Sequence, residues 1–274
     1  MLDTGTMPLV VGHGGARIHY EVLGDSGPWI VLLQGLGLSS RFWFEVPERL
    51  VSGPHRVIVL DNRGTGRSDR PGGIYRMAHM ADDVVSVMDA AGADKAVVVG
   101  ISMGGMIAQH VALRHAVRVS GLVLLATSPG LPHMRLPGVR TLATLLSLPL
   151  RRDRGGPGLA RLLLPVAHLP RARELLSKWP AALAEAPVAA RSFFAQLAAV
   201  ALHTTGFRLR EVRCPTVVVT GSEDLLVHPA NSSVIAARIP GAFLEVLPNV
   251  GHGIPLLDED VVMRAIQRLD AMTS

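Results

Sequence analysis

A serine lies between two glycines in the stretch Gly100-Ile101-Ser102-Met103-Gly104, which has the pattern G-x-S-x-G. The three valines before it predict a buried strand, and Met103–His115 has few helix breakers and predicts a helix. A chain that turns from strand to helix within one residue strains that residue and requires small neighbours. Such a turn would raise the Ser102 hydroxyl above the sheet, near the positive end of the helix, where it could act as a nucleophile.

A serine hydroxyl needs a base within hydrogen-bond reach, and the base must itself be oriented by an acid. Asp224 follows a strand predicted at Thr216–Thr220, and His252 follows a strand predicted at Phe243–Leu247. Catalytic loops of open α/β sheets lie at the carboxyl ends of the strands. The sequence therefore predicts Ser102 as nucleophile, His252 as base and Asp224 as the orienting acid.

Each of these three assignments has an alternative, either another residue for the same role or another role for the same residue. Glu223 is adjacent to Asp224 and could also accept a hydrogen bond from an imidazole, although its position suits a solvated loop carboxylate. His252 is one of eleven histidines, but it alone lies between two glycines after the last predicted strand. Ser102 could serve as a helix N-cap, a role that does not require glycines on both sides. The spacing of the histidines does not indicate a metal site.

The remaining elements alternate between strand and helix, which predicts an α/β fold with a mostly parallel central sheet flanked by helices and right-handed crossovers. The predicted strands are Ala16–Leu23, Trp29–Leu33, Arg56–Leu60, Val97–Val99, Gly121–Ala126, Thr216–Thr220 and Phe243–Leu247. The predicted helices are Ser40–Val51, Met77–Ala91, Met103–His115, Pro229–Ile239 and Asp258–Met272. Residues 131–207 interrupt the alternation with Leu/Ala-rich pieces of helical length and many prolines, which predicts a helical insertion.

Four motifs together resemble the α/β hydrolase superfamily over nearly the whole chain. They are the Gly100–Gly105 stretch, Asp61-Asn62-Arg63-Gly64-Thr65-Gly66-Arg67-Ser68, Gly221-Ser222-Glu223-Asp224 with Pro229, and Gly251-His252. The chain is similar in style to small bacterial members such as 3-oxoadipate enol-lactonases, meta-cleavage-product hydrolases and anthracycline methylesterases. The resemblance implies a hydrolase core at 1–130 and 208–274 with a helical cap at 131–207. It also implies that the Asp61–Ser68 loop braces the neighbouring loops. The spacing of the glycines in this loop is not that of a phosphate-binding loop.

The resemblance implies hydrolysis of an ester-type bond through an acyl-serine, without cofactor or metal. The backbone N–H groups of Met103 and Leu36 are the expected oxyanion donors. The family commonly has His-Gly after the first long strand, where this chain has Gln34-Gly35, and these two residues are candidates for substrate binding. The same site could perform C–C bond hydrolysis, lactone opening or thioester cleavage, and a non-catalytic small-molecule-binding homologue would keep the same fold.

Composition limits the classes of partner. Of the 274 residues 49% are apolar and 4% aromatic, and the single cysteine, Cys214, excludes an internal disulfide. The positive charge is concentrated in residues 131–210, which contain eleven arginines and one lysine but only three acidic residues. These arginines are scattered among leucines, which favours a solvated face over a nucleic-acid surface. We expect a cytoplasmic protein without signal peptide or membrane span, a monomer or homodimer, acting on a small hydrophobic ester-like substrate.

Overall fold

The computed structural model describes residues 8–150, 156–186 and 188–273. Within these residues, eight strands form one sheet in the order β1-β2-β4-β3-β5-β6-β7-β8. The strands are β1 (Leu9–Val11), β2 (Arg17–Leu23), β3 (Trp29–Leu33), β4 (Arg56–Leu60), β5 (Ala96–Ile101), β6 (Val119–Leu125), β7 (Thr216–Gly221) and β8 (Phe243–Leu247). β2 pairs antiparallel with β1 and β4, and all pairs from β4 to β8 are parallel. The predicted α/β hydrolase-type sheet is confirmed.

Helices cover both faces of the sheet, as parallel strands require. The helices are α1 (Val46–Val51), α2 (Met77–Ala90), α3 (Met103–Arg114), α4 (Val139–Ser147), α5 (Pro157–Leu163), α6 (Ala172–Leu175), α7 (Trp179–Glu185), α8 (Ala190–Ala201), α9 (Ala230–Arg238), α10 (Ile254–Leu257) and α11 (Val261–Thr273). Successive strand side chains point to opposite layers. Val98 packs in the layer that contains α2, α3 and α9, whereas Val99 packs in the layer that contains α1 and α11.

The register of the central strands brings their carboxyl ends to one edge. Leu33 of β3 is opposite Gly100 of β5, and Ile101 of β5 is opposite Leu125 of β6. On the far side of β6, Leu125 is opposite Val219 of β7. The loops that follow β3, β5, β6 and β7 therefore emerge side by side at this edge.

Two predicted helices differ clearly from the structure, and one strand is additional. The helix predicted at Ser40–Val51 is a 3₁₀ turn (Ser40–Trp43) followed by α1, because Phe44 has a φ of 47° and breaks the helical path. The terminal helix begins at Val261, and the short α10 precedes it. β1 was not predicted, since three residues are too few to show a period.

Segment 131–207 leaves the sheet after β6 and returns before β7, and its described residues include α4 to α8. Its ends are held together where Thr205 and Gly206 N–H groups donate to the Pro129 carbonyl (2.9 and 3.1 Å). Residues 151–155 and Pro187 of this segment lie outside the described residues. Residues 1–7, on which most of the prediction about a signal peptide rests, also lie outside them.

In the described parts of the chain, no helix has both the length and the apolar character required to cross a bilayer.

Candidate active site

Ser102 connects β5 to α3 with a φ of 55° and a ψ of −119°, a strained combination for a residue with a side chain. Its backbone is held by hydrogen bonds on both sides. The Ser102 N–H donates to the Leu125 carbonyl (2.9 Å), and the Ser102 carbonyl accepts from the Met106 N–H (3.2 Å) and from Thr127 Oγ1 (2.7 Å). The strain is therefore fixed by β6 and by the first turn of α3.

The glycines of the G-x-S-x-G pattern are required by close approach of backbone atoms. A Cβ at Gly100 would lie 2.3 Å from the Gly104 carbonyl oxygen, and a Cβ at Gly104 would lie 2.0 Å from the Leu33 carbonyl oxygen. Neither distance is compatible with a side chain. The pattern thus sets how closely α3 packs against β5 and β3, which determines the height of Ser102 above the sheet.

Asp224 and His252 form a buried pair in the loops after β7 and β8. His252 Nδ1 donates to Asp224 Oδ2 at 2.7 Å, and Asp224 Oδ1 accepts the N–H groups of Leu226 and Val227 at 2.8 Å each. With Nδ1 carrying the proton, His252 Nε2 is free to act as an acceptor. Glu223 is exposed, and it is Asp224 that contacts the histidine.

Ser102 and His252 line the same cavity, which has a volume of about 550 Å³. Its wall is mainly apolar, and segment 131–207 supplies much of that wall. The contributions of this segment include Leu142, Leu145, Leu162, Leu163, Leu175, Phe193 and Leu197. Cavities of this size accommodate drug-sized ligands.

The two predicted oxyanion donors, Leu36 and Met103, also line this cavity. Met103 is the first residue of α3, at the positive end of the helix dipole. Among the described residues, neither the Leu36 N–H nor the Met103 N–H donates a hydrogen bond. Gly35 places the Leu36 turn beside the serine, since a Cβ at Gly35 would lie 3.3 Å from Ser102 Cβ.

Gln34 is buried and contributes to the cavity wall. Its Oε1 accepts the Gly35 N–H at 3.0 Å, and its carbonyl accepts from Asn62 Nδ2 at 3.0 Å. Within the described residues, Gln34 Nε2 donates no hydrogen bond. The side chain therefore braces its own turn with its oxygen and keeps its N–H₂ group available.

The Asp61–Ser68 loop contacts the turn that contains Leu36. Besides the bond from Asn62 to Gln34, Asp61 Oδ1 accepts the Ser40 N–H at 2.7 Å and Asp61 Oδ2 accepts the Arg67 N–H at 2.9 Å. The bonds to Gln34 and Ser40 connect the loop to the chain after β3, as the implied bracing role requires, and the bond to Arg67 holds the loop itself.

Sequence reasoning missed Gln196, a residue of α8. It is completely buried, its Oε1 accepts the Gly37 N–H, and its Nε2 donates to the Arg63 carbonyl, both at 2.9 Å. The available signal was a single polar residue in the otherwise apolar run Phe193-Phe194-Ala195-Gln196-Leu197-Ala198.

Comparison with known proteins agrees with this geometry. Residues 28–259 match the family model of the alpha/beta hydrolase fold. A putative carbamate hydrolase RutD of Variovorax paradoxus (strain S110) is 31% identical, over 91% of this chain and 94% of that protein. Among solved structures, a hydrolase from Pseudomonas aeruginosa PA01 superposes with a TM-score of 0.84 at 26% identity, covering 97% of this chain and 99% of the other. Est816, described as an N-acyl homoserine lactone degrading enzyme, is 32% identical with a TM-score of 0.79, covering 95% and 99% of the two chains.

The strand order, the strained serine between β5 and α3, and the family match lead to one assignment: the chain belongs to the α/β hydrolase family. Its relatives in sequence and structure are hydrolases of several bond types.

Proposed function

We propose that this protein is a serine hydrolase that cleaves a carboxylic ester-type bond of a medium-sized hydrophobic substrate through an acyl-serine intermediate. The observation that carries the proposal is the buried His252–Asp224 hydrogen bond of 2.7 Å at the same cavity as the strained Ser102. A serine raised at a strand–helix turn, with an oriented imidazole in its cavity, is the arrangement that nucleophilic acyl transfer requires.

In the proposed reaction, Ser102 Oγ attacks the substrate carbonyl carbon while its proton passes to His252 Nε2. The negative charge develops on the carbonyl oxygen, where the N–H groups of Leu36 and Met103 stabilise it. The C–O bond of the ester then breaks, and His252 returns the proton to the leaving alcohol. His252 next deprotonates a water molecule, whose oxygen attacks the acyl carbon. The bond between that carbon and Ser102 Oγ breaks, the acid is released, and His252 returns the proton to Ser102 Oγ, while Asp224 keeps the imidazole in the required tautomer.

The cavity supports a hydrophobic, uncharged substrate. Its wall is mainly apolar, with leucine the most frequent residue, and we propose that segment 131–207 acts as the cap over Ser102. The charged Lys, Arg and Glu residues at its wall are paired: Lys178 with Glu45, Arg49 with Glu259 at 3.0 Å, and Glu174 with Arg171 at 2.7 Å. A substrate charge would find no unpaired partner among these groups. We assign Gln34 Nε2 as a polar anchor for a substrate oxygen, with Gly35 shaping the wall beside it.

Lactone opening is the second candidate, and one comparison favours it. Est816, at 32% identity over nearly the whole chain, degrades N-acyl homoserine lactones according to its description. The same site would open a lactone with the acyl chain in the leucine-lined cavity and the ring carbonyl at Ser102. A carbamate, the bond type in the name of the Variovorax relative, presents the same carbonyl to the same groups.

A panel of substrates tests the proposal. Turnover is compared for wild type and Ser102→Ala on six compounds. They are p-nitrophenyl butyrate and hexanoate, N-hexanoyl homoserine lactone, an acyl thioester, a p-nitrophenyl carbamate and a vinylogous diketone. We expect the highest kcat/KM on the esters and loss of all turnover in the variant. A higher kcat/KM on the lactone selects the second candidate. No turnover of any compound, with measurable binding, would identify a non-catalytic binding protein.

A further inference from the structure

Gln196 lies outside the cavity wall but connects α8 to the turn that contains Leu36. Both functional groups of its amide are used: Oε1 accepts the Gly37 N–H and Nε2 donates to the Arg63 carbonyl, each at 2.9 Å. Because the side chain is 0% exposed, these hydrogen bonds do not compete with solvent.

The accepted N–H belongs to the central peptide of this turn, between Leu36 and Gly37. Leu38 N–H closes the turn on the Gly35 carbonyl at 3.3 Å, and Gly37 occupies its third position with a φ of 71°. The peptide between the second and third residues of a β-turn can adopt two opposite orientations, and a third-position glycine permits both. The Gln196 oxygen stabilises the orientation in which the Gly37 N–H points towards α8.

The other end of the bridge is anchored. The Arg63 guanidinium forms two 2.7 Å hydrogen bonds with Asp83, and both side chains are buried. The neighbouring Asn62 holds the Gln34 carbonyl at the start of the turn. The turn is thus fixed at Gln34 by the Asp61–Ser68 loop, and at Gly37 by an amide that α8 supplies.

We propose that Gln196 is a positioning residue for the oxyanion hole. It does not touch the substrate. It holds the Leu36–Gly37 peptide and so fixes the backbone conformation of Leu36, whose N–H is the proposed oxyanion donor. The oxyanion hole is then complete only when α8 is docked on the core, so that segment 131–207 contributes to the rate of the chemical step as well as to substrate binding. This inference rests on the proposed acyl transfer at Ser102.

The test compares Gln196→Leu with Gln109→Leu. Gln109 is also a fully buried glutamine with two partners, donating to the Ser128 carbonyl (3.0 Å) and accepting from Thr205 Oγ1 (2.5 Å), but it is not bonded to the turn. Removing an oxyanion donor costs about 100- to 1,000-fold in kcat, so losing its support should cost about 10- to 100-fold. We expect this loss in Gln196→Leu, with KM changed less than about threefold, whereas Gln109→Leu lowers the melting temperature similarly and keeps kcat within about twofold.

Gln196→Glu provides the rescue variant, since it keeps an oxygen for the Gly37 N–H and alters only the bond to Arg63. We expect its kcat to exceed that of Gln196→Leu at least about fivefold, although both variants lose stability. Equal kcat values in the Leu and Glu variants, a Gln196→Leu kcat within twofold of wild type, or an equal loss in Gln109→Leu would each overturn the proposal.

A fluorophosphonate provides a readout that does not depend on the substrate. Its phosphoryl oxygen also develops charge in the oxyanion hole, so the rate of Ser102 labelling should fall in Gln196→Leu and remain unchanged in Gln109→Leu. If wild type is labelled but turns over no ester, the proposed substrate class fails while the Gln196 comparison still stands. If wild type is not labelled at Ser102, both proposals fail.

Discussion

At the scale of single residues, the conformations of Ser102, the proposed nucleophile, and Asp224, the proposed acid, depend on their immediate neighbours. Ser102 can adopt a φ of 55° because Gly100 and Gly104 have no Cβ, and α3 can therefore approach β5 and β3 more closely than any side chain would permit. Asp224 is oriented by the N–H groups of Leu226 and Val227, three residues away at most. Such local causes are visible in the sequence, which is why these residues could be chosen from motif and order alone.

The residues that support the Gly35–Leu38 turn could not be found in this way. Gln196 is separated from Gly37 by 159 positions, and nothing near either residue in the sequence indicates the partner. Asn62 was part of a predicted bracing loop, but the Gln34 carbonyl as its acceptor follows only from the adjacency of β3 and β4. Long-range hydrogen bonds depend on the packed arrangement, and a pattern of residue types does not encode it.

The acid is tested by comparing two adjacent carboxylates. Asp224→Asn should lower kcat by about 10⁴-fold, because the amide no longer holds the imidazole in the tautomer with a free Nε2. Glu223→Gln should leave kcat within about twofold, since Glu223 is exposed and makes no contact with His252. Steady-state kinetics on p-nitrophenyl butyrate gives both values, and a larger loss in Glu223→Gln would transfer the role to Glu223.

At the scale of elements, the strands were predicted closely and the connections less so. β8 has the predicted bounds, and β3 and β4 also agree, because each is a short apolar run ended by turn formers. The helix prediction at Ser40–Val51 is wrong at Phe44, which has a φ of 47°. Nothing about a phenylalanine at this position indicates such a conformation. The local pattern there is apolar enough for a helix, and the two residues before the break, Phe42 and Trp43, are buried.

The turn from β5 to α3 predicts a sharp difference between two glycines. Gly104→Ala should reduce the free energy of unfolding by about 3 kcal/mol or more, because its Cβ would overlap the Leu33 carbonyl. Gly138, before α4, has a φ of −62°, and a Cβ added there would meet no atom within 4 Å, so Gly138→Ala should change stability by less than about 0.5 kcal/mol. Urea unfolding measures both, and an equally small effect of the two substitutions would show that the turn from β5 to α3 tolerates an added side chain.

The junction of β6 with segment 131–207 contains the buried His203, which lies beside the half-buried His110 of α3. His203 Nε2 donates to the Ser128 carbonyl at 3.0 Å, and His203 Nδ1 lies 3.3 Å from His110 Nε2. Burial, the largest cause, lowers the pKa of His203 to about 3 and that of His110 to about 4. The neutral pair is therefore part of the structure that closes the base of this segment.

These pKa values predict a loss of stability in mild acid. Unfolded histidine has a pKa near 6.5, so between about pH 6.5 and pH 4 the unfolded state binds more protons than the folded state, and stability falls as the pH falls. At pH 5 the loss is about 2 kcal/mol for each histidine. Urea unfolding at pH 7.5 and 5 should show a smaller pH effect in His203→Gln, which keeps a donor for Ser128 but does not titrate. If the loss of stability between pH 7.5 and pH 5 is as large in His203→Gln as in wild type, His203 is not its source.

At the scale of the whole molecule, segment 131–207 contacts the core at the loops that carry the site. The Gly253 N–H, next to His252, donates to the Leu163 carbonyl of α5 at 2.8 Å, and Gln196 of α8 holds the turn of Leu36. The same segment forms much of the apolar cavity wall. The sequence predicted a helical insertion here from its prolines and leucines, but it could not reveal that the insertion is bonded to both loops.

The cavity predicts a dependence on acyl chain length. Each well-buried methylene adds up to about 0.8 kcal/mol, so kcat/KM should rise from p-nitrophenyl acetate through butyrate to hexanoate until the cavity is full. Leu145→Phe, which narrows the cavity, should shift the optimum to shorter chains. Leu146→Phe on the same helix is the control, because Leu146 is exposed and lies outside the cavity wall. A strict preference for acetate in wild type would show that the cavity does not receive the acyl group.

The central claim is that Ser102 carries the acyl group, and rapid mixing with p-nitrophenyl hexanoate followed by acid quench measures it directly. Wild type should release about one equivalent of p-nitrophenol per chain in a burst when deacylation is the slower step. Mass spectrometry of the quenched protein should place a hexanoyl group on the peptide containing Ser102. Ser102→Ala should show neither burst nor adduct, with turnover reduced by about 10⁶-fold and an unchanged melting temperature. An acyl group on any other residue, or a tenth of the wild-type activity remaining in Ser102→Ala, would contradict the claim.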